Sequence, residues 1–588
     1  MKKFLTILLC CALLTGCAAA PAATTAPTET QAAEPQPPQF QITGDVVEIE
    51  LRDQDITLSG DGSGVYTSRD IVYYEDKTQY ESGNPYGEGE EWEMHTAREA
   101  GEHLVVNITA PGTYRLSGRL NKGQIRIDLG EDAYDDPDAV VNLILDGVEI
   151  TCTVAPAIVF RNVYECDGNW SVDKAKPNVD TADAGANLIL AADSENIVTG
   201  SHVAKIFKDK EGEKKLWKQD GAVYSYMSMN VYGPGSLELY AENEGLDTEL
   251  HLTIFGGDIT IRSGNDGINT NEDGVSVTTI RGGDLRIIAG LGEEGDGIDS
   301  NGYLVIYGGT VVAAANPAAD AGLDSDLGSF VHGGTVLALG SAMDWAESDS
   351  GQVTMNLQFA KHQDALSAIV VAKEDGSVVF AYDPARDEVL GENARTYQGA
   401  ILSCPDFALN DSYEVFIGAT ITGKETGGIY DAATVTGFSG GAQMAYTGTD
   451  VMMRPGGFGD FGGGQRPEGG IGLPEDRDPD NMPQPPEGDV QIPPQPGEGM
   501  NPVPQGDRPE DWTMPSMPAG EMPTWPEGEV PTRPEGEIPT WPEGEVPTRP
   551  EGQEPPGGFG NSGSEPNTLF FMQDKVNFFT GLTESQPQ

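Results

Sequence analysis

Asp266-Gly267-Ile268-Asn269-Thr270-Asn271 and Asp296-Gly297-Ile298-Asp299-Ser300-Asn301 are near-copies of one phrase. Glu244-Gly245-Leu246-Asp247-Thr248-Glu249 precedes them and Ala321-Gly322-Leu323-Asp324-Ser325-Asp326 follows. Between them runs a second phrase: Phe255-Gly256-Gly257, Arg281-Gly282-Gly283, Tyr307-Gly308-Gly309 and His332-Gly333-Gly334. The first recurs every 22, 30 and 25 residues, the second every 26, 26 and 25. A period in the twenties, built of glycine turns and short β-rich runs, marks a β-solenoid. Ile259-Thr260-Ile261, Leu285-Arg286-Ile287 and Val311-Val312-Ala313 are strands too short to stand alone. Each must stack on the next coil.

Side chains alternate faces along a strand. With Leu246, Ile268, Ile298 and Leu323 inward, Thr248, Thr270, Ser300 and Ser325 share the inner face. Two oxygen-rich ladders then point outward. One is Asp247, Asn269, Asp299, Asp324; the other is Glu249, Asn271, Asn301, Asp326. Coils stack about 4.8 Å apart. Carboxylates at that spacing repel, which raises their pKa values. A divalent cation removes the cost, and hard oxygen ligands without neighbouring Cys or His select Ca2+. The expected ligands are Asp247, Glu249, Asp266, Asn269, Asn271, Asp296, Asp299, Asn301, Asp324 and Asp326. The competing explanation is that Asp and Asn here only make turns.

The chain opens with Met1-Lys2-Lys3, an apolar run from Phe4 to Leu14, and Leu14-Thr15-Gly16-Cys17. This size suits a secretory signal rather than a membrane span. Leu-Thr-Gly-Cys resembles the bacterial lipobox, which implies cleavage before Cys17 and a lipid anchor on its thiol. The expected location is the outer face of the cell membrane. Residues 17–39 read as a flexible tether. With 94 acidic and 34 basic residues, the net charge is −60. That argues against nucleic acid and against docking on anionic lipid, and suits a cation binder. Beyond Cys10, Cys11 and Cys17 remain Cys152, Cys166 and Cys404, too few for a disulfide framework. A Cys152–Cys166 bridge is left open.

The region before the repeats carries Gly112-Thr113-Tyr114-Arg115-Leu116-Ser117-Gly118, Leu143-Ile144-Leu145-Asp146-Gly147-Val148-Glu149-Ile150 and Asn196-Ile197-Val198-Thr199-Gly200-Ser201. This ordered set, followed by the repeated Asp-Gly-Ile and Gly-Gly phrases, resembles a bacterial surface family known as carbohydrate-binding domain-containing proteins. The resemblance implies an all-β fold, a right-handed parallel β-helix of the pectate-lyase type with Ca2+ in its acidic turns. It also implies non-catalytic binding of plant cell-wall polysaccharide, acidic forms such as polygalacturonate included. The Asp-Gly-Ile pattern carries over to Asp266, Asn269, Asp296 and Asp299. It departs at Glu244 and Ala321, which puts the outermost calcium positions in doubt.

The expected organisation is a signal peptide (1–16), the tether (17–39), the β-helix (40–345) and a β unit capping it (346–453). A Pro/Gly/Glu-rich segment (454–566) follows, then an apolar strand (567–588) returning to the folded part. Octads starting at Glu521, Glu529, Glu537 and Glu545 bury no core and should be disordered. Lys205 to Lys218 reads as a side loop. A monomer is expected, with polysaccharide as partner.

Two alternatives stand beside the binder: a polysaccharide lyase or hydrolase, and a structural adhesin. A lyase needs a base beside the metal. Between Gln219 and Ala360 there is no Lys, and only Arg262, Arg281 and Arg286. Arg286 shares a strand face with Asp284, and an ion pair is the simpler role. His251 and His332 are isolated. Catalytic residues are therefore not expected. A sugar-stacking face would draw on Tyr224, Tyr226, Tyr232, Tyr240, Tyr303 and Tyr307; parity puts Tyr303 and Tyr307 on one side of their strand.

Overall fold

A computed structural model describes residues 44–74, 86–87, 93–207, 215–391, 393–449 and 566–585. The signal, Cys17, the tether and nearly all of the Pro/Gly/Glu-rich segment lie outside the described residues. The described chain is nearly all β, with a single short α-helix at Ala97–Ala100.

Three parallel ladders organise residues 104–340. The first joins the start of Val141–Thr151 to Ala186–Leu190, Met229–Tyr232, His251–Ile254, Val277–Ile280, Tyr303–Ile306 and Gly328–Val331. The second joins the end of Val141–Thr151 to Glu195–Gly200, Ser236–Ala241, Asp258–Ser263, Asp284–Ile288, Thr310–Ala314 and Thr335–Gly340. The third runs through Leu104–Ile108, Gly123–Asp128, Ile158–Asn162, Gly221–Ser225, Glu244–Thr248, Ile268–Thr270 and Ile298–Ser300. From Met229 onward the chain visits the ladders in that order, coil after coil, so like residues of successive repeats become neighbours.

The phrases of the sequence have physical duties in this stack. Leu246, Ile268, Ile298 and Leu323 are fully buried and belong to one apolar core with Leu237, Ile259, Leu285 and Val311. Among them Thr270 Oγ1 lies 2.8 Å from Ser300 Oγ and 3.1 Å from Thr278 Oγ1, so these three hydroxyls satisfy one another, whereas Thr248 Oγ1 has no partner. The glycine of the first phrase leaves room for the next coil. A Cβ on Gly245 would stand 2.3 Å from the Gly267 carbonyl oxygen, one on Gly267 2.5 Å from that of Gly297, and one on Gly297 2.4 Å from that of Gly322. In the second phrase the second glycine takes positive φ: +113° at Gly257, +97° at Gly283, +85° at Gly309 and +86° at Gly334. Side-chain-bearing residues avoid that region.

The end of the stack is closed by antiparallel pairing. Thr335–Gly340 pairs with Tyr397–Ser403, which pairs with Thr354–Gln363. Val576–Glu584 then adds parallel to Thr354–Gln363, from Thr354↔Val576 onward. Phe570, Met572, Phe579 and Leu582 are buried in a second core with Met355, Phe359 and Tyr413, and with Val312 and Leu337 of the second ladder. Ile369–Ala372 and Val378–Tyr382 form a hairpin at Gly376, whose φ is +81°. Pairing along Thr335–Gly340 removes an exposed sheet edge.

Two sequence expectations change. Lys205–Lys218 is not merely a loop: Val203–Phe207 and Lys215–Gln219 are antiparallel strands, joined by Tyr86–Gly87. Cys152, Cys166 and Cys404 are free thiols, so Cys152 and Cys166 do not bridge.

Candidate functional site

The third ladder sets the acidic residues in register. Asp247 pairs with Asn269 and Asn269 with Asp299, and the bridge Ile298↔Leu323 continues the column to Asp324. The second column follows at the strand ends. The amide of Asn271 donates to the Thr248 carbonyl, that of Asn301 to Thr270 and that of Asp326 to Ser300. All ten expected ligands therefore fall on one flank of the stack, but they do not form one continuous open row.

Parity sets these side chains on the side away from the apolar core, and at the N-terminal end that side is covered. Asp247 is 0% exposed. The strand Lys215–Gln219 covers this flank, and the Lys218 ammonium lies 2.6 Å from an Asp220 oxygen and 3.0 Å from Asn271 Oδ1. The Tyr224 hydroxyl donates to Glu249 Oε1. Asn271 Nδ2 donates to Asp247 Oδ1 at 2.6 Å, and Asn269 Nδ2 to Glu244 Oε1 at 3.2 Å. Glu244 Oε2, Asp247 Oδ2 and Asn269 Oδ1 are among the buried oxygens left without partners. A buried acceptor with no donor is expensive, more so when charged.

The middle coils are held differently. Asp266 Oδ1 accepts the Asp296 amide at 2.7 Å, and Asp296 Oδ1 accepts the Ala321 amide at 2.5 Å. The Asn301 amide turns away to the Asn271 carbonyl and Asp273. Asp326 lies at the exposed edge. Burial raises Glu244, Asp247, Asp266, Asp296, Asp299, Asp324 and Asp326. Asp296 is pushed up to about 8 by burial and then by Asp324, and Asp299 to about 7 by the same two causes. Asp247 and Asp266 stand well above the usual carboxylate range through burial and the adjacent Glu244. Burial works against charge on Lys218, but Asp220, Glu244, Asp247 and Glu249 outweigh it and hold the ammonium protonated.

Among the described residues, no three or more His, Cys, Asp or Glu side chains are set to hold a metal ion by themselves. The orphaned set is two carboxylates and an amide oxygen, all hard donors, which is chemistry that Ca2+ accepts. These oxygens lie at the Glu244 end, where departure from the Asp-Gly-Ile pattern had put a site in doubt. Glu244, Asp220 and Lys218 were absent from the sequence-derived ligand set. Glu244 was signalled by its place in the repeat, whereas Lys218 comes from a hairpin outside it.

The remaining candidates sit elsewhere. Arg286 pairs with Asp284 at 3.1 Å, and Arg262 approaches Glu238 at 3.9 Å. Both belong to the second ladder. The His251 imidazole is buried with neither ring nitrogen partnered, and burial holds it down at about 4. His332 Nδ1 accepts the Gly351 amide at 2.9 Å.

Stacked parallel ladders with an oxygen-lined flank define an all-β protein, and comparison with known proteins finds similar chains. The model of the carbohydrate-binding domain-containing protein family matches residues 102–168 and 169–383, and over that region the chain is similar to this family. A carbohydrate-binding domain-containing protein of Acetivibrio thermocellus is 32% identical over 159 residues, 27% of this chain and 45% of the relative. The chain thus spans less than half of that relative's length. A solved structure described as a polysaccharide lyase-like protein from C. thermocellum, a gadolinium derivative, is 23% identical. It covers 49% of this chain and 93% of its own, with a TM-score of 0.30.

Proposed function

We propose that the chain is a calcium-stabilised, non-catalytic binder of polysaccharide, displayed on the outer face of the cell membrane through lipid on Cys17. In this reading residues 104–340 close as a right-handed parallel β-helix, and the antiparallel unit after it is the cap. The observation that carries the calcium assignment is the trio of orphaned buried oxygens on Glu244, Asp247 and Asn269. A divalent cation satisfies them and relieves the repulsion along the column. Asp266, Asp296, Asp299 and Asp324 extend the cation-holding flank. The polysaccharide is of plant cell-wall type, with polygalacturonate the leading candidate.

The absence of catalysis is argued from the bases. Abstraction of a proton next to a carboxylate needs a base beside the metal, commonly an Arg or Lys. Arg262 and Arg286 are on another ladder, and Lys218 is held protonated by the acids around it.

The test uses the mature chain on insoluble polysaccharides and polygalacturonate gel, with calcium and with chelator, while the supernatant is followed for unsaturated or reducing sugar. Calcium-dependent retention without released sugar is expected. Released product overturns the binder in favour of a lyase or hydrolase. No retention on any glycan favours an adhesin.

A further inference from the structure

The residue before each glycine pair, and Tyr232 before Gly233-Pro234 in the preceding coil, stands on the outer side of the first ladder. Five consecutive coils place Tyr232, Phe255, Arg281, Tyr307 and His332 there, and every one is planar. Tyr232 and Phe255 stack with centroids 4.6 Å apart and planes 3° from parallel. The Arg281 guanidinium lies 4.8 Å from the Tyr307 ring centroid, and Tyr307 lies 5.1 Å from His332. Phe330 joins from the neighbouring column, 6.2 Å from both Tyr303 and His332.

The column changes along its length. Tyr232 and Phe255 are buried, and Tyr232 also walls a cavity of about 420 Å³ with Tyr164, Asn142 and Asn187. Arg281, Tyr303, Tyr307, Phe330 and His332 are only half-buried. Arg281, Tyr307 and His332 are each followed by a glycine pair, which adds no side chain beside them, and Tyr307 lies between Arg281 and His332. Arg281 is also set apart by charge. Arg115, Arg119, Arg126, Arg161, Lys218 and Arg286 all lie within 4.0 Å of a carboxylate. Arg281 has no such ion pair among the described residues, in a chain of net charge −60.

We propose that Arg281, Tyr303, Tyr307, Phe330 and His332 form the glycan-binding platform, and that it takes a chain of uronate sugars. This rests on the polysaccharide-binding reading and names the surface for it. The apolar CH face of a pyranose packs on an aromatic ring, and rings repeat once per coil, at about 4.8 Å. The guanidinium supplies the fork that a carboxylate fits. Rings alone would serve a neutral glycan; the unpaired Arg281 selects an acidic one.

The test measures retention of the full chain on polygalacturonate and on neutral cell-wall glycans, with calcium present throughout. Tyr307→Ala is expected to weaken polygalacturonate binding by at least about tenfold. Arg281→Gln is expected to weaken it comparably while leaving any neutral-glycan binding unchanged. Melting temperatures of both variants report whether the fold is intact, and Tyr307→Phe is expected to retain binding because it keeps the ring. Wild type bound while folded Tyr307→Ala and Arg281→Gln bind equally well overturns the platform and leaves the polysaccharide reading standing. Wild type retained on no glycan overturns both.

Discussion

At the scale of single residues, the acidic flank is a set of groups folded against their preferred charge state. Asp296 and Asp299 keep protons in the fold at pH values where the unfolded chain has lost them. The native state then binds more protons, so stability falls as pH rises from the unfolded carboxylate value toward the folded one. Below the ordinary histidine value His251 acts in the opposite direction, which leaves the range above about pH 7 to the raised acids. In chelator the melting temperature should therefore fall between about pH 7 and about pH 9, and calcium should flatten that fall. A chelated protein equally stable at both ends contradicts the account. Lys218 gives a second residue-scale prediction. It is the tethered cation of this flank, and Lys218→Met leaves Asp220 and its neighbours uncompensated. Removing one partner of a largely buried pair costs about 3 kcal/mol. That loss should appear in chelator, as a shift of the denaturation midpoint, and shrink when calcium replaces the ammonium. An equal loss with and without calcium would mean that the two cations do not share the flank.

At the scale of elements, legibility follows sequence distance. The coils could be read because each repeats its phrase: Gly267 and Gly297 recur where a Cβ would strike the next carbonyl, and Ile268 and Ile298 recur where the core needs them. The wider step from Asp266 to Asp296 absorbs loops at 271–276 and 289–295 without changing the register Asn269↔Asp299. The cover over the acidic flank was not legible. Lys218 reaches Asn271 across 53 residues, and nothing local to either announces the contact. Parity placed Asp247 correctly on the side away from the apolar core, but parity carries no information about what lies above that side. The C-terminal strand was suggested by its apolarity, and its partner is 222 residues away, at Thr354↔Val576. Burying a large apolar side chain contributes about 1.5–3 kcal/mol. Phe570, Met572, Phe579 and Leu582 are all fully or almost fully buried. Deleting residues 567–588 should therefore lower the melting temperature by more than about 5 °C in calorimetry. It should also promote association through the bared strand Thr354–Gln363. An unchanged transition would show that the strand is dispensable to the core it enters.

At the scale of the whole molecule, a chain of net charge −60 is proposed to hold a polyanion. Long-range repulsion opposes that encounter, and salt screens it over a Debye length of about 10 Å at 0.1 M. Arg281 acts at contact distance, as does any calcium that bridges a uronate to surface carboxylates, and that attraction has to overcome the general field. The two effects respond to salt with opposite signs. In chelator, the weak residual retention on polygalacturonate should rise as ionic strength rises from about 0.02 M to about 0.3 M, because repulsion is what salt then removes. With calcium present, retention should begin high and fall over the same range, because salt now weakens the ion bridges that dominate. Neutral glycan lacks both terms and should show neither slope. Retention that changes in the same direction with and without calcium would place the attraction elsewhere than in the cation bridge. Opposite slopes would place calcium between the protein surface and the polyanion.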